Sequence, residues 1–144
     1  MSLNVNELTV GSYVCYCRAN GYYTKVTEIR HCSDDAEDYY INGLRDSRDP
    51  INPNKEDVFS CEILHPLLLT DEILHKLGFE KQHNVGYISD DYGGNTIIYD
   101  DWEHKLKILM NYTVVFEKKY FDTIGLHTLQ LALKSVEFKK DFVL

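Results

Sequence analysis

Cys15 and Cys17 are separated by one residue in a run, Tyr13 to Arg18, that reads as a β-strand, and strand alternation puts both thiols on one side. Such a pair is half of a zinc site. His31, Cys32, Cys61 and His65 are the residues that could complete a tetrahedral set of nitrogen and sulfur ligands. The C-x-x-C spacing is missing and the other ligands lie far along the chain. The favoured reading is therefore that Cys15, Cys17, Cys32 and Cys61 are small apolar side chains, and no metal or other cofactor is expected. A second candidate is Asp90, Asp91, Asp100 and Asp101, which bracket one expected hairpin. Gathered at one end, their oxygens would suit a hard cation. They do not follow a calcium-loop pattern, and aspartates favour turns for backbone reasons. Asp91-Tyr92-Gly93-Gly94-Asn95 lacks the lysine and the glycine spacing of a phosphate loop. Of the six histidines, only His104, beside Glu103 and near Asp100 and Asp101, suggests acid–base work, and a strand end on the surface explains it as well. No catalytic residue is assigned.

The best candidate for a contact surface is the loop Asp34-Asp35-Ala36-Glu37-Asp38 with the following Tyr39 and Tyr40. Carboxylates beside tyrosines can meet a basic protein patch through charge-assisted hydrogen bonds and aromatic contact. Composition agrees. The 144 residues carry a net charge of −8 and include 11 tyrosines. Tyrosines suit half-buried strands as well as binding faces. No run of lysine and arginine offers the basic face that nucleic acid requires: Glu117-Lys118-Lys119 and Lys139-Lys140 are short and mixed with acids. The chain shows no secretory leader at its first residues and no apolar run of membrane-spanning length, so a cytoplasmic location with reduced cysteines is expected.

These residues must be positioned by short strands and two helices. In the first half, Leu8-Thr9-Val10 leads into Gly11 and the strand Tyr13 to Arg18. Asn20-Gly21 is a type I′ turn signal, and Tyr22 to Ile29 returns with Val26 and Ile29 as anchors. Tyr39-Tyr40-Ile41 follows the acidic loop and ends at a second turn signal, Asn42-Gly43. Residues 45–57, with Pro50 and Pro53, read as a mobile loop, and Val58 to Leu64 as the next strand. From Leu69 to Phe79 every local signal agrees on a short helix. Thr70 is an N-cap, Asp71 and Glu72 occupy the first turn, Leu69 and Leu74 form a staple, and Gly78 closes the end. The second half reads as strands Val85 to Ser89, Thr96 to Tyr99, Trp102 to Met110 and Thr113 to Phe116, with turns at Asp90–Asn95 and Asn111-Tyr112. From Asp122, with Asp122 or Thr123 as cap, Leu126, Leu129, Leu133 and Val136 form one helical stripe, and Glu137 to Leu144 reads as an extended tail.

Three patches carry a resemblance. Asn6-Glu7-Leu8-Thr9-Val10-Gly11-Ser12-Tyr13-Val14 fits N-E-L-x-x-G-x-x-V. The stretch Pro66 to Phe79 fits P-x-x-L-T-x-E-x-L-x-x-L-G-F, and His127-Thr128-Leu129-Gln130 fits H-x-L-Q. Together they resemble a family of small uncharacterised proteins of gut bacteria of the Bacteroidetes type and their prophages. The closing patch departs most: a second Gln-Asn pair and a Thr-Gly after the helix are missing. The resemblance implies a bacterial or phage accessory protein with a small bent sheet followed by a helix, and it carries no activity or site residue.

The expected fold is α+β: a small bent N-terminal β-sheet or SH3-like barrel over residues 1–69, a linking helix over 70–80, then a β-meander with a C-terminal helix over 81–144. The expected function is non-enzymatic binding of a protein partner, with a small metal-dependent enzyme or metal-binding protein and a nucleic-acid-binding barrel as alternatives.

Overall fold

A computed structural model of the chain describes residues 3–31 and 39–144. Cys32, Asp34, Asp35, Glu37 and Asp38 lie outside the described residues. The fold is α+β: the described residues form two antiparallel sheets of five strands and two short helices. Contacts divide the chain into two units, one of Met1–Leu67 with Gly125–Leu131 and the other of Leu68–Ile124 with Ala132–Leu144. Among the described residues no helix is long and apolar enough to cross a membrane.

In the first unit the strands are β1 (Tyr13–Cys17), β2 (Tyr22–His31), β3 (Tyr39–Leu44), β4 (Glu56–Ser60) and β5 (His65–Pro66), in the order β4-β3-β2-β1-β5. Bulges between Cys15 and Cys17 and between Val26 and Glu28 bend the ladder. Val14, Val26, Ile41 and Phe59 are buried together with Leu8 and Leu64. The sheet does not close into a barrel. A 3-10 turn, Cys61–Ile63, ends β4, and β5 is a two-residue strand that finishes on Pro66, which has no N–H to extend a ladder.

Several local expectations fail for tertiary reasons. Asn20-Gly21 is the end of a four-residue loop in which Gly21 alone has positive φ (+66°), so it is not a type I′ turn. Asn42-Gly43 is no turn at all. Both residues lie inside β3, and a Cβ on Gly43 would collide with Thr24 Oγ1 and sit 2.9 Å from the Lys25 carbonyl oxygen. The glycine is there to let β2 approach. The segment after β3 is irregular, as its prolines suggest, but it is tied rather than loose. The Asp46 carboxylate accepts the Tyr23 N–H at 3.1 Å and Arg48 Nη2 at 2.6 Å. Asp49 accepts the Tyr16 hydroxyl at 2.8 Å and Arg45 Nη1 at 3.0 Å. Asp46 and Asp49 are both buried, and hydrogen bonds to the charged forms hold both carboxyls below the usual range despite burial.

In the second unit α1 (Asp71–Lys76) follows its sequence signals closely. Thr70 Oγ1 accepts the Ile73 N–H at 3.3 Å, Gly78 takes φ +89°, and the Phe79 N–H closes on the Leu74 carbonyl at 3.0 Å. Ile73, Leu74, Leu77 and Phe79 are buried. The sheet is a meander of β6 (Glu80–Gln82), β7 (Gly86–Asp90), β8 (Thr96–Asp100), β9 (Lys105–Met110) and β10 (Thr113–Lys119), ordered β10-β9-β8-β7-β6. Asn111 and Tyr112 have φ of +51° and +64°, so the type I′ condition is met here. β6 has no counterpart among the expected strands. Its three exposed polar residues show no apolar alternation.

The last helix, α2 (Leu126–Ser135), starts at the first leucine of its stripe, later than a cap at Asp122 or Thr123 would place it, and neither residue caps it. The Leu69 N–H donates to the Ile124 carbonyl at 3.0 Å, and the Leu126 N–H donates to the Leu67 carbonyl at 2.7 Å. Backbone groups that a longer helix would use internally are therefore taken by the Leu67–Leu69 segment. Gln130 then clasps the start of the first sheet. Its Oε1 accepts the Tyr13 N–H at 2.9 Å, and its Nε2 donates to the Gly11 carbonyl at 2.9 Å. Beside it, His127 Nε2 lies 3.4 Å from a Glu7 oxygen, while the buried Nδ1 has no partner. Burial pushes the imidazole below its ordinary 6.5, and Glu7 pulls the other way without overcoming it.

Replacing Thr70 by alanine should lower stability by about 1 kcal/mol through the lost cap. Gly43→Ala should cost about 1–3 kcal/mol through overpacking; urea unfolding followed by circular dichroism measures both. His127 stays neutral in the folded chain below the pH at which it would protonate when unfolded. Stability that is intact above pH 6.5 should therefore fall as the solution is acidified from there, by at most about 1.4 kcal/mol per pH unit for one proton. Unfolding measured from pH 7 to pH 5 should show a shallower slope in His127→Gln.

Candidate binding surface

The sequence candidates do not converge on a chemical centre. Cys15 is buried and its thiol donates to the Cys17 carbonyl at 3.3 Å, while the bulge after Cys15 breaks the alternation that would align the two thiols. Burial pushes the Cys15 and Cys61 thiols up, away from the thiolate a metal needs. Among the described residues no three His, Cys, Asp or Glu side chains are grouped to hold a metal ion.

The four aspartates sit at opposite ends of β8, roughly 13 Å of strand apart, so they do not gather. Asp90 accepts the Tyr92 N–H at 2.9 Å and Asp91 the Gly93 N–H at 2.7 Å. At the other turn Asp100 accepts the Trp102 and Glu103 N–H groups at 3.0 and 3.1 Å. Their work is turn formation. Among the described residues no hydrogen bond or ion pair joins His104 to Glu103, Asp100 or Asp101. Tyr39 and Tyr40 are half-buried on β3, with the Tyr39 ring stacked on His31 at 4.5 Å.

The second unit holds a cleft of about 430 Å³ lined by Leu69, Asp71, Lys81, Tyr87, Tyr99 and Asp101 among others. Its polar groups face one another. The Tyr87 hydroxyl donates to Asp71, Lys81 Nζ lies 5.3 Å over the Tyr87 ring, and it reaches Asp101 at 3.8 Å. Burial, then the bond to Asp71, pushes Tyr87 up to about 12, which makes it a poor proton donor at neutral pH. The Tyr99 hydroxyl is buried without a hydrogen-bond partner, and the Ile124 N–H faces it without closing an ordinary bond. This arrangement can hold polar groups, and it presents no paired nucleophile and base.

The exposed feature of this unit is the β10 edge. The strand ends its sheet, and its seven residues span roughly 23 Å. A bulge between Val114 and Phe116 leaves Val114 and Val115 both exposed. At one end the Tyr120 N–H donates to the His104 carbonyl at 2.8 Å, which brings Phe121 to the turn that carries Trp102. Phe121 is fully exposed and Trp102 is 89% exposed. At the other end the Tyr112 N–H donates to the Gly94 carbonyl at 3.0 Å, and the exposed Tyr112 and Tyr92 rings occupy the two turns. Aromatic side chains thus bracket an open strand.

Sequence reasoning missed Trp102, Phe121, Val114 and Val115. The one available signal was Thr113-Val114-Val115-Phe116, an apolar run with no alternation, which fits no single buried face. Which strand ends a sheet is decided by its order, and that is not local information. No protein-family model matches the chain, nor does any curated protein or solved structure.

Trp102 is the sole tryptophan. Its emission should resemble that of free tryptophan in water, with full quenching by iodide. A blue-shifted, protected emission would mean that the turn is covered in solution.

Proposed function

We propose that the chain is a non-enzymatic, acidic accessory protein that binds a protein partner, of phage or mobile-element type as its motifs imply. The observation that carries the reading is the β10 edge with its exposed aromatic brackets. Large apolar side chains left in water in one region mark contact surfaces. Trp and Tyr in particular dominate interface energetics when a partner desolvates them. Burying one such ring removes about 150–250 Å² from water, worth about 4–6 kcal/mol before association costs. The acidic residues Asp34, Asp35, Glu37 and Asp38 add a long-range field that would steer a basic surface toward the chain.

The test is affinity capture from nuclease-treated lysate of a gut bacterium, comparing the chain with Trp102→Ala/Phe121→Ala. A partner held by the wild type should be weakened at least about 30-fold by the double substitution, the equivalent of about 2 kcal/mol. The stability of the variant should stay within about 0.5 kcal/mol, because both side chains are already in water. A captured set that is identical for the two proteins would count against this surface.

A further inference from the structure

We propose that the β10 edge accepts an extended acidic segment of the partner as an added strand, with partner carboxylates beside Lys118 and Lys119 and apolar side chains against Val114 and Val115. The inference rests on the protein-binding reading and names what the partner presents.

Four strands end the two sheets, and they differ in what they offer. β5 has two residues and a proline, β6 has three, and β4 has five and begins with Glu56-Asp57. β10 has seven, the longest row of edge groups for main-chain pairing. Its side chains are exposed or half-buried throughout. Strand addition draws affinity from backbone hydrogen bonds and takes specificity from the flanking side chains.

Those side chains divide by chemistry along the strand. The first half presents Thr113, Val114 and Val115, and the second presents Glu117, Lys118 and Lys119. Glu117 is already satisfied, since Lys105 Nζ reaches it at 2.6 Å. Lys118 lies 5.0 Å over the Tyr120 ring rather than on a carboxylate. Lys119 and Lys107 have no ion-pair partner among the described residues. A chain of net charge −8 therefore carries a local cationic strip on its longest open edge.

The same strip selects the occupant. Lysines and a bulge on an edge discourage indiscriminate pairing. A second copy of β10 would bring its own Lys118 and Lys119 alongside, joined to another chain of net charge −8. A strand with adjacent acidic residues meets those two lysines with opposite rather than like charge. Neighbouring residues on a strand face opposite sides, so Lys118 and Lys119 require two consecutive carboxylates on the incoming strand.

The experiment uses the full chain and blocked octapeptides with two adjacent glutamates at one end and alternating valine and threonine for the rest. They are made in both chain directions, each with a lysine-for-glutamate counterpart. Hydrogen exchange is read over residues 113–119 together with Trp102 emission. At millimolar concentration and low salt, a glutamate peptide should slow the outward-facing amides of 113–119 at least about tenfold and shift the Trp102 signal, and the lysine peptides should do neither. Lys118→Glu/Lys119→Glu should reverse the preference. Unchanged exchange with all peptides would overturn the proposal, as would equal protection by both charge types or protection confined to β4. A DNA duplex that protects 113–119 as strongly as the glutamate peptide would also overturn it. If Trp102→Ala/Phe121→Ala abolishes partner capture while the peptides fail, the binding reading stands and strand addition does not. If capture itself is insensitive to that substitution, the failure lies with the reading beneath.

Discussion

One side-chain amide holds together parts of the chain that lie far apart in sequence. Both ends of the Gln130 amide bond to backbone, the oxygen to Tyr13 and the nitrogen to Gly11. A helix of ten residues has little stability alone, so α2 must be fixed by what it touches. The clasp fixes its first turns against the start of the first sheet. Leu126 and Leu129 are fully buried beside it. The chain enters the helix through Ile124 and Leu126, whose backbone groups are taken by Leu69 and Leu67. The position of the helix therefore follows from backbone hydrogen bonds as much as from its apolar stripe.

This arrangement gives the three sequence patches a physical meaning. Glu7 and Gly11 belong to the opening patch, Pro66 to Leu69 to the middle one, and His127 and Gln130 to the closing one. In the structure Glu7 meets His127, Gly11 meets Gln130, and Leu67 meets Leu126. The residues that catch the eye as motifs are joints of the scaffold. The surface most open to a partner contains none of them.

How far the sequence could be read depended on whether the deciding partner was near in the chain. The core of α1 was legible because Thr70, Leu74 and Gly78 act on groups within about one turn, although the helix ends at Lys76 and Glu80, expected within it, belongs to β6. The Asn111-Tyr112 turn was legible for the same reason. Gly43 was misread because its function is to admit Thr24, nineteen positions earlier, and no local rule names that neighbour. Asp46 and Asp49 looked like loop residues because their partners, Tyr23 and Tyr16, lie on other strands. The sheet stays open, and its last strand has only two residues, a length that composition does not reveal. The candidate surface was least legible. Its defining property, an edge with no strand beside it among the described residues, belongs to the order of strands rather than to any residue.

The division of the chain has a consequence for synthesis. The first unit includes Gly125–Leu131, so translation through Leu67 does not complete it. At about 5–20 residues per second the ribosome needs roughly 3 to 13 s more to reach Gln130. During that interval the Gly11 carbonyl and the Tyr13 N–H lack the groups that satisfy them in the finished fold. Most of the second unit emerges in the same interval. The N-terminal sheet is thus made first and finished late, and the start of its opening strand waits on the ribosome for the side chain that satisfies it.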